Sequence, residues 1–218
     1  MSAKKRLILC LYLLAGTIAN GQIPVEVFVG QKRSTVDIMF FKYFRNRKGE
    51  QTRWLFFNRN RAGVDHRMTE TNYLPQFGFT EAISYNHKKL KGIAPVAVGQ
   101  IMNAGTMTKA GVQYAHLGSV FTAFTWLVTE TNKNPDIDHF VLVRYTPKLS
   151  KKLQLFTQLE LLTVLPTDDK AARSYTQRAR AGIKVQHLQS GIGIDLNQTG
   201  NTTINKTANA GIFIRYEF

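Results

Sequence analysis

Residues 153–161 read LQLFTQLEL, and their alternation decides the fold class. Leu153, Leu155, Thr157, Leu159 and Leu161 fall on one side of an extended chain, and Gln154, Phe156, Gln158 and Glu160 on the other. Successive side chains of a strand point to opposite faces, so this is a strand with one greasy and one polar side. The next segment, YTQRARAGIKVQ at 175–186, repeats the pattern and adds charge. Tyr175, Gln177, Ala179, Ala181, Ile183 and Val185 oppose Thr176, Arg178, Arg180, Gly182, Lys184 and Gln186. The last segment, ANAGIFIRYEF at 208–218, sets Ala208, Ala210, Ile212, Ile214, Tyr216 and Phe218 against Asn209, Gly211, Phe213, Arg215 and Glu217. In water the apolar face of such a strand packs on a core; in an outer membrane it faces lipid.

Working outward from these segments, the chain divides into twelve predicted strands: 25–31, 34–44, 52–64, 75–86, 93–103, 106–117, 119–131, 138–147, 152–164, 173–187, 190–198 and 206–218. Transmembrane strands need about 9–11 residues each, and most of these segments meet that length. The expected fold is all-β, a single antiparallel up-and-down transmembrane barrel of about twelve strands. The connections RNRKGEQ, NHKKLKG, HLG, TPKLSKK and HLQS are compact and mostly basic, as periplasmic turns would be. Segments 64–74, 131–137, 165–172 and 198–207 then form outer loops. Phe40, Phe44, Trp54, Trp126, Tyr145, Tyr175 and Tyr216 lie near strand ends, where interfacial aromatic girdles are expected. The rival reading is a soluble periplasmic sandwich or lipocalin-like barrel, which would alternate in the same way.

The start of the chain points to export. Lys4, Lys5 and Arg6 precede an apolar run, LILCLYLLAGTIA at 7–19, and Ala19 and Gly21 supply the small residues of a signal-peptidase site. We expect residues 1–21 to be a cleaved signal peptide and residues 22–218 to form the barrel. The run is too short to span a bilayer, which takes about 20 residues. The single cysteine, Cys10, lies within it, so no disulfide or thiolate site is available to the mature chain. The formal charge is +15, and removing those three basic residues leaves +12 (15 − 3). Export turns that excess away from nucleic acid and towards outer-membrane lipid headgroups, lipopolysaccharide phosphates or anionic solutes. FFKYFRNR at 40–47 and WLFFNRNR at 54–61 interleave aromatic and basic residues. The same context reads them as lipid-facing strands reaching a rim, not as a nucleic-acid stacking platform.

The terminal stretch Gly211-Ile-Phe-Ile-Arg-Tyr-Glu-Phe218 resembles the last strand of bacterial outer-membrane proteins. That resemblance implies recognition by the barrel-assembly machinery through Ile212, Ile214, Tyr216 and Phe218. The whole layout resembles small barrels of Bacteroidota-type bacteria. It is also similar to the twelve-stranded Tsx-like nucleoside channels, on its length, its strand number and the segment Phe79-Thr80-Glu81-Ala82. A nucleoside-like solute is what the second resemblance implies.

With the apolar faces turned out, Lys109, Arg144, Arg178, Arg180, Lys184 and Arg215 turn inward, joined by Glu81, Glu160, Asp195 and Glu217. Outward Arg or Lys near the bilayer midplane would cost about 2–4 kcal/mol each. The inward set reads either as a basic pore lining for small anions or as a salt-bridged plug. The histidines, His66, His87, His116, His139 and His187, offer only the H-x-x-S pairs His116/Ser119 and His187/Ser190, whose partners fall on opposite faces of a strand. We therefore expect no catalytic centre, with a lipid hydrolase as the remote alternative. Asp136, Asp138 and His139, and the pair Asp168–Asp169, lack the ligand set of a calcium or zinc site, so no metal or cofactor is expected. The repeated Thr-Glu-Thr-Asn at 69–72 and 129–132 does not define a repeat architecture. The leading expectation is a passive small-solute channel. A closed accessory barrel binding lipopolysaccharide or an envelope protein is the alternative.

Overall fold

The computed structural model describes residues 23–66, 76–103, 105–131, 135–168 and 171–218. The leader at 1–21, the Thr-Glu-Thr-Asn at 69–72 and Asp169 lie outside the described residues. The chain forms twelve strands: β1 (Pro24–Gly30), β2 (Arg33–Arg45), β3 (Gln51–Asp65), β4 (Gln76–Tyr85), β5 (Ile93–Met102), β6 (Gly105–Leu117), β7 (Phe121–Glu130), β8 (Ile137–Tyr145), β9 (Leu153–Leu165), β10 (Arg173–Val185), β11 (Leu188–Gly200) and β12 (Ile204–Glu217). Each pairs antiparallel with its sequence neighbours, and β12 returns to pair with β1, so the sheet closes on itself. At the seam Val25 faces Tyr216 and Val29 faces Ile212. Ile23 and Phe218 exchange backbone hydrogen bonds just beyond it. Closure leaves no unpaired strand edge, the condition for a sheet to lie in hydrocarbon. It also excludes the sandwich.

Every predicted strand is present, the short first one included, with ends shifted by two residues or fewer. One connection differs. Residues 198–207 were expected as an outer loop, but Gln198–Lys206, Thr199–Asn205 and Gly200–Ile204 continue the ladder, leaving a turn of 201–203. Gly200 sits at φ +153, which carries the tight reversal at the end of β11.

The outer wall is greasy around the barrel. Ile192 is 68% exposed, Ile212 59% and Val112 53%, with Val29, Ile101, Leu127 and Ile183 at similar values. A soluble barrel hides such residues, and apolar patches beyond a few hundred Å² are rare on soluble monomers. Phe44, Trp54, Tyr85, Tyr145, Tyr216 and Phe218 ring the end that holds Ile23 and Phe218, the ends of the described chain. There the Trp54 and Tyr85 rings meet edge to face at 5.1 Å.

The excess positive charge gathers on the turns at that same end. Arg47 and Lys48 lie in the β2–β3 turn, Lys88, Lys89 and Lys91 between β4 and β5, and Lys148, Lys151 and Lys152 between β8 and β9. Glu50 is the one carboxylate in these three connections.

Candidate functional site

What fills the barrel follows from which face of each strand turns in. From β9 to β12 the inner face is the polar one, as the alternation predicts. From β2 to β8 it carries large apolar side chains. Phe41, Leu55, Phe57, Phe124, Trp126, Phe140 and Leu142 pack into one cluster across the lumen. Phe57 stacks on Phe124 at 5.4 Å, and Trp126 meets Phe57 edge-on at 5.2 Å. Trp126, expected in the interfacial girdle, is therefore an interior residue, 4% exposed. Both faces of β7 are apolar, so residue type alone could not set its phase. A second, smaller cluster joins Phe28, Phe156 and Phe213.

Beside these clusters runs a network of charges. Arg180 donates to Glu26 at 2.9 Å and to Asp195 at 2.8 Å, and its guanidinium lies 4.1 Å from the Phe28 ring centre. Arg215 donates to Glu26 at 2.5 Å and to Gln158 at 2.9 Å, and lies over Phe156. Gln158 donates in turn to Glu160 at 2.7 Å. Arg59 donates to Glu160 at 2.8 Å and also to Asp37. Arg61 reaches Asp195 at 2.8 Å. Arg178 lies 3.4 Å from Glu160 and 3.8 Å from Asp195. The Arg59–Glu160 pair is the decisive one. β3 and β9 stand six places apart in the ring of twelve, so this bridge crosses the full width of the lumen.

The remaining sequence-predicted residues sort as follows. Lys109 turns inward onto Asp138 at 2.5 Å, and Lys184 onto Glu217 at 2.5 Å. Arg144 donates from Nε to Gln158 at 2.8 Å, while its Nη2 lacks an acceptor. Glu81 does not line the lumen. Its neighbours Thr80 and Ala82 point in, and Glu81 shares the outer face with Phe79 and Ile83, accepting a 2.5 Å hydrogen bond from Asn58. Its charge suggested the interior; period two puts it on the wall. Glu26, Asp37, Arg59 and Arg61 are interior residues that sequence reasoning missed. In 54–61 apolar and polar side chains occur on both faces, so no greasy side marks the phase. Ile212, Ile214 and Tyr216 share the outer face of β12, with Phe218 just beyond it packing against the Tyr216 ring at 4.8 Å.

Towards the end remote from the termini the lumen opens into a cavity of about 290 Å³. Arg59, Arg61 and Arg178 line its wall, Phe57, Trp126 and Phe140 its apolar side, and Lys32 and Arg33 its mouth. Three donors there lack acceptors: Arg61 Nη1, Arg178 Nε and Trp126 Nε1. Buried donors of this kind are normally satisfied, so the cavity suits water or a solute rich in acceptor oxygens. His116 and His139 point outward, while Asp138 points inward, so the Asp136, Asp138 and His139 group does not converge. Among the described residues no cluster of three or more His, Cys, Asp or Glu is placed to hold a metal.

No family model matches the sequence, and no curated protein matches it. Solved structures do. A NanC porin is 8% identical, with a TM-score of 0.52 over 91% of this chain and 98% of its own. A KdgM porin is 9% identical, with a TM-score of 0.48 over 90% of this chain and 99% of its own. At such identity the first likeness speaks to the fold, and it is that of an outer-membrane porin-like barrel.

Proposed function

We propose that this chain is an exported protein of a Gram-negative outer membrane, its leader at 1–21 removed, serving as a narrow porin-like passage for small acceptor-rich solutes. Small anions come first among these. The solute enters the cavity at the outer end, and the way below it is held shut in the conformation described. The greasy outer wall and the porin-like fold support the location. The observation that carries the functional reading is the cavity with three unsatisfied donors, set directly above a lumen bridged by Arg59 and Glu160.

The lumen is not the basic pore lining that the inward cations alone suggest. Arg178, Arg180, Lys184, Arg215 and Lys109 all face carboxylates, so little unpaired positive charge is left to select ions. Selectivity rests instead on the mouth and on the orphaned donors. The reading assigns no catalytic residue and no cofactor. Outer-membrane lipids and lipopolysaccharide are its surroundings, and the outward residues of the last strand are its signal to the barrel-assembly machinery.

The crossing ion pair and the aromatic cluster also favour a second reading, a closed accessory barrel that conducts nothing. Planar-bilayer recording separates the two. The wild-type barrel is expected to show no steady open state, and Arg59→Ala combined with Phe57→Ala to conduct. A large, permanent wild-type conductance contradicts the shut lumen. Silence from both proteins removes the passage and leaves the accessory barrel.

A further inference from the structure

The outer wall holds one sector that does not suit lipid. Asn58 and Asn60 of β3 and Glu81 of β4 all point outward. Glu81 is the only acidic residue on the outer face of any strand among the described residues. The outward strand cations, Lys42, Arg173 and Lys206, sit within three residues of a strand end, where long side chains reach the interface. Glu81 has no such escape. Its partner Asn58 is the middle residue of β3 and lies four residues above Trp54 in the aromatic rim. At a rise of about 3.3 Å per residue and a tilt of about 40°, that is about 10 Å into an apolar band about 25 Å tall. The Oδ1 atoms of Asn58 and Asn60 are buried without a donor. Across β4–β5, Glu81 pairs with Gly99, beyond whose Cα position nothing stands within 4 Å. Two carboxamides, a carboxyl and a gap thus meet at mid-depth on a wall that is elsewhere mostly apolar.

We infer that this sector is an interface between two copies of the chain. A two-fold axis along the membrane normal keeps every residue at its own depth, so the patch meets itself. It is self-complementary: the exposed Glu81 carboxyl supplies acceptors and the carboxamides supply N–H donors, while the Oδ1 atoms of Asn58 and Asn60 reach the contact only once their side chains turn outward. Rotation of the Asn58 and Asn60 amides lets each donate across the axis. Gly99 leaves room for the two walls to approach, as small residues do at contacts within membranes. A different protein would have to bring its own polar groups to the same depth, whereas a second copy has them by construction. The inference rests on the wall being immersed in lipid and not on what passes through the lumen.

Cross-linking in lipid bilayers tests it, in a Cys10→Ser background that removes the only native cysteine. Gly99→Cys is expected to give a covalent dimer with a short bis-maleimide. Ile192→Cys, on β11 diametrically opposite β5, is expected to give none. Adding Glu81→Leu should reduce the Gly99→Cys dimer about tenfold, the factor expected from losing one polar contact in a membrane. That variant should stay folded, because it makes the wall more apolar. Gly99→Trp, which fills the gap, should leave native mass spectrometry with monomer alone. Equal cross-linking from both positions, or dimers unaffected by Glu81→Leu and Gly99→Trp, overturns the proposal. So does capture of a different envelope protein through Gly99→Cys in cells. A polypeptide that stays dissolved without detergent instead removes the membrane premise.

Discussion

Arg180 shows how much of the interior depends on single side chains. It is held between Glu26 of β1 and Asp195 of β11, with its guanidinium over the Phe28 ring. Truncation takes one partner from each carboxylate, leaving Glu26 to Arg215 and Asp195 to Arg61, and the loss of a hydrogen bond to a charged group costs about 1.5–3 kcal/mol. Arg180→Ala should therefore lower the unfolding free energy of the detergent-folded barrel by that order, seen as an earlier urea midpoint. Arg180→Lys, able to serve one carboxylate well but not both, should fall between. Wild-type-like unfolding of Arg180→Ala would mean that the network contributes little. Arg180, Arg178, Lys184 and Arg215 were legible as inward residues because their strands have one clean apolar face. Arg59 and Arg61 were not, since Phe56 and Phe57 put aromatic bulk on both sides of β3. Glu81 was not expected on the wall, although period two groups it with Phe79 and Ile83.

At the scale of an element, the ring closure made by β12 can be separated from the assembly signal proposed for it. β12 pairs with β1 from Pro24–Glu217 to Gly30–Gly211, and its outward residues Ile212, Ile214 and Tyr216 with Phe218 are the proposed signal. Phe218 itself is 73% exposed and adds its terminal hydrogen bonds with Ile23 and one ring contact with Tyr216. Phe218→Ala should then refold in detergent almost as well as wild type. In cells it should deplete the outer membrane of folded barrel, seen as loss of the heat-modifiable band. Equal loss in both settings would make Phe218 a stability residue and not a signal. Strand positions were readable throughout because turn residues punctuate the chain. The β11–β12 turn was misjudged because its polar flanks, Asn197 to Thr199 and Asn205 to Thr207, look like loop but keep their ladder bonds.

At the scale of the whole molecule, the three basic connections at 46–50, 86–92 and 146–152 share one end of the barrel. Each Lys or Arg near an anionic bilayer surface contributes about 1 kcal/mol, and the effect fades within a Debye length. Folding into phosphatidylglycerol-containing vesicles should therefore outpace folding into neutral ones at low salt, and the advantage should shrink at high salt. Lys88→Gln, Lys89→Gln and Lys91→Gln together should weaken it. Salt-independent folding, or no lipid preference, would leave that collar without a role at the membrane. What the sequence did not reveal at this scale is how full the barrel is. Composition counts the aromatic residues but does not say that Phe28, Phe41, Phe57, Phe124, Trp126, Phe140, Phe156 and Phe213 point inward.

Placement in a membrane requires the outer wall to touch lipid chains and the inner wall to be sealed from them. The chain has two tryptophans, one for each wall: Trp54 outward beside Tyr85, and Trp126 inward against Phe57 and Phe124. Fluorescence quenching by brominated phospholipids in Trp54→Phe and Trp126→Phe single-tryptophan barrels compares the two surfaces directly. Strong quenching of Trp54 with Trp126 unaffected is the expected result. Equal quenching of both, or none of Trp54, would contradict the fold's placement in the membrane.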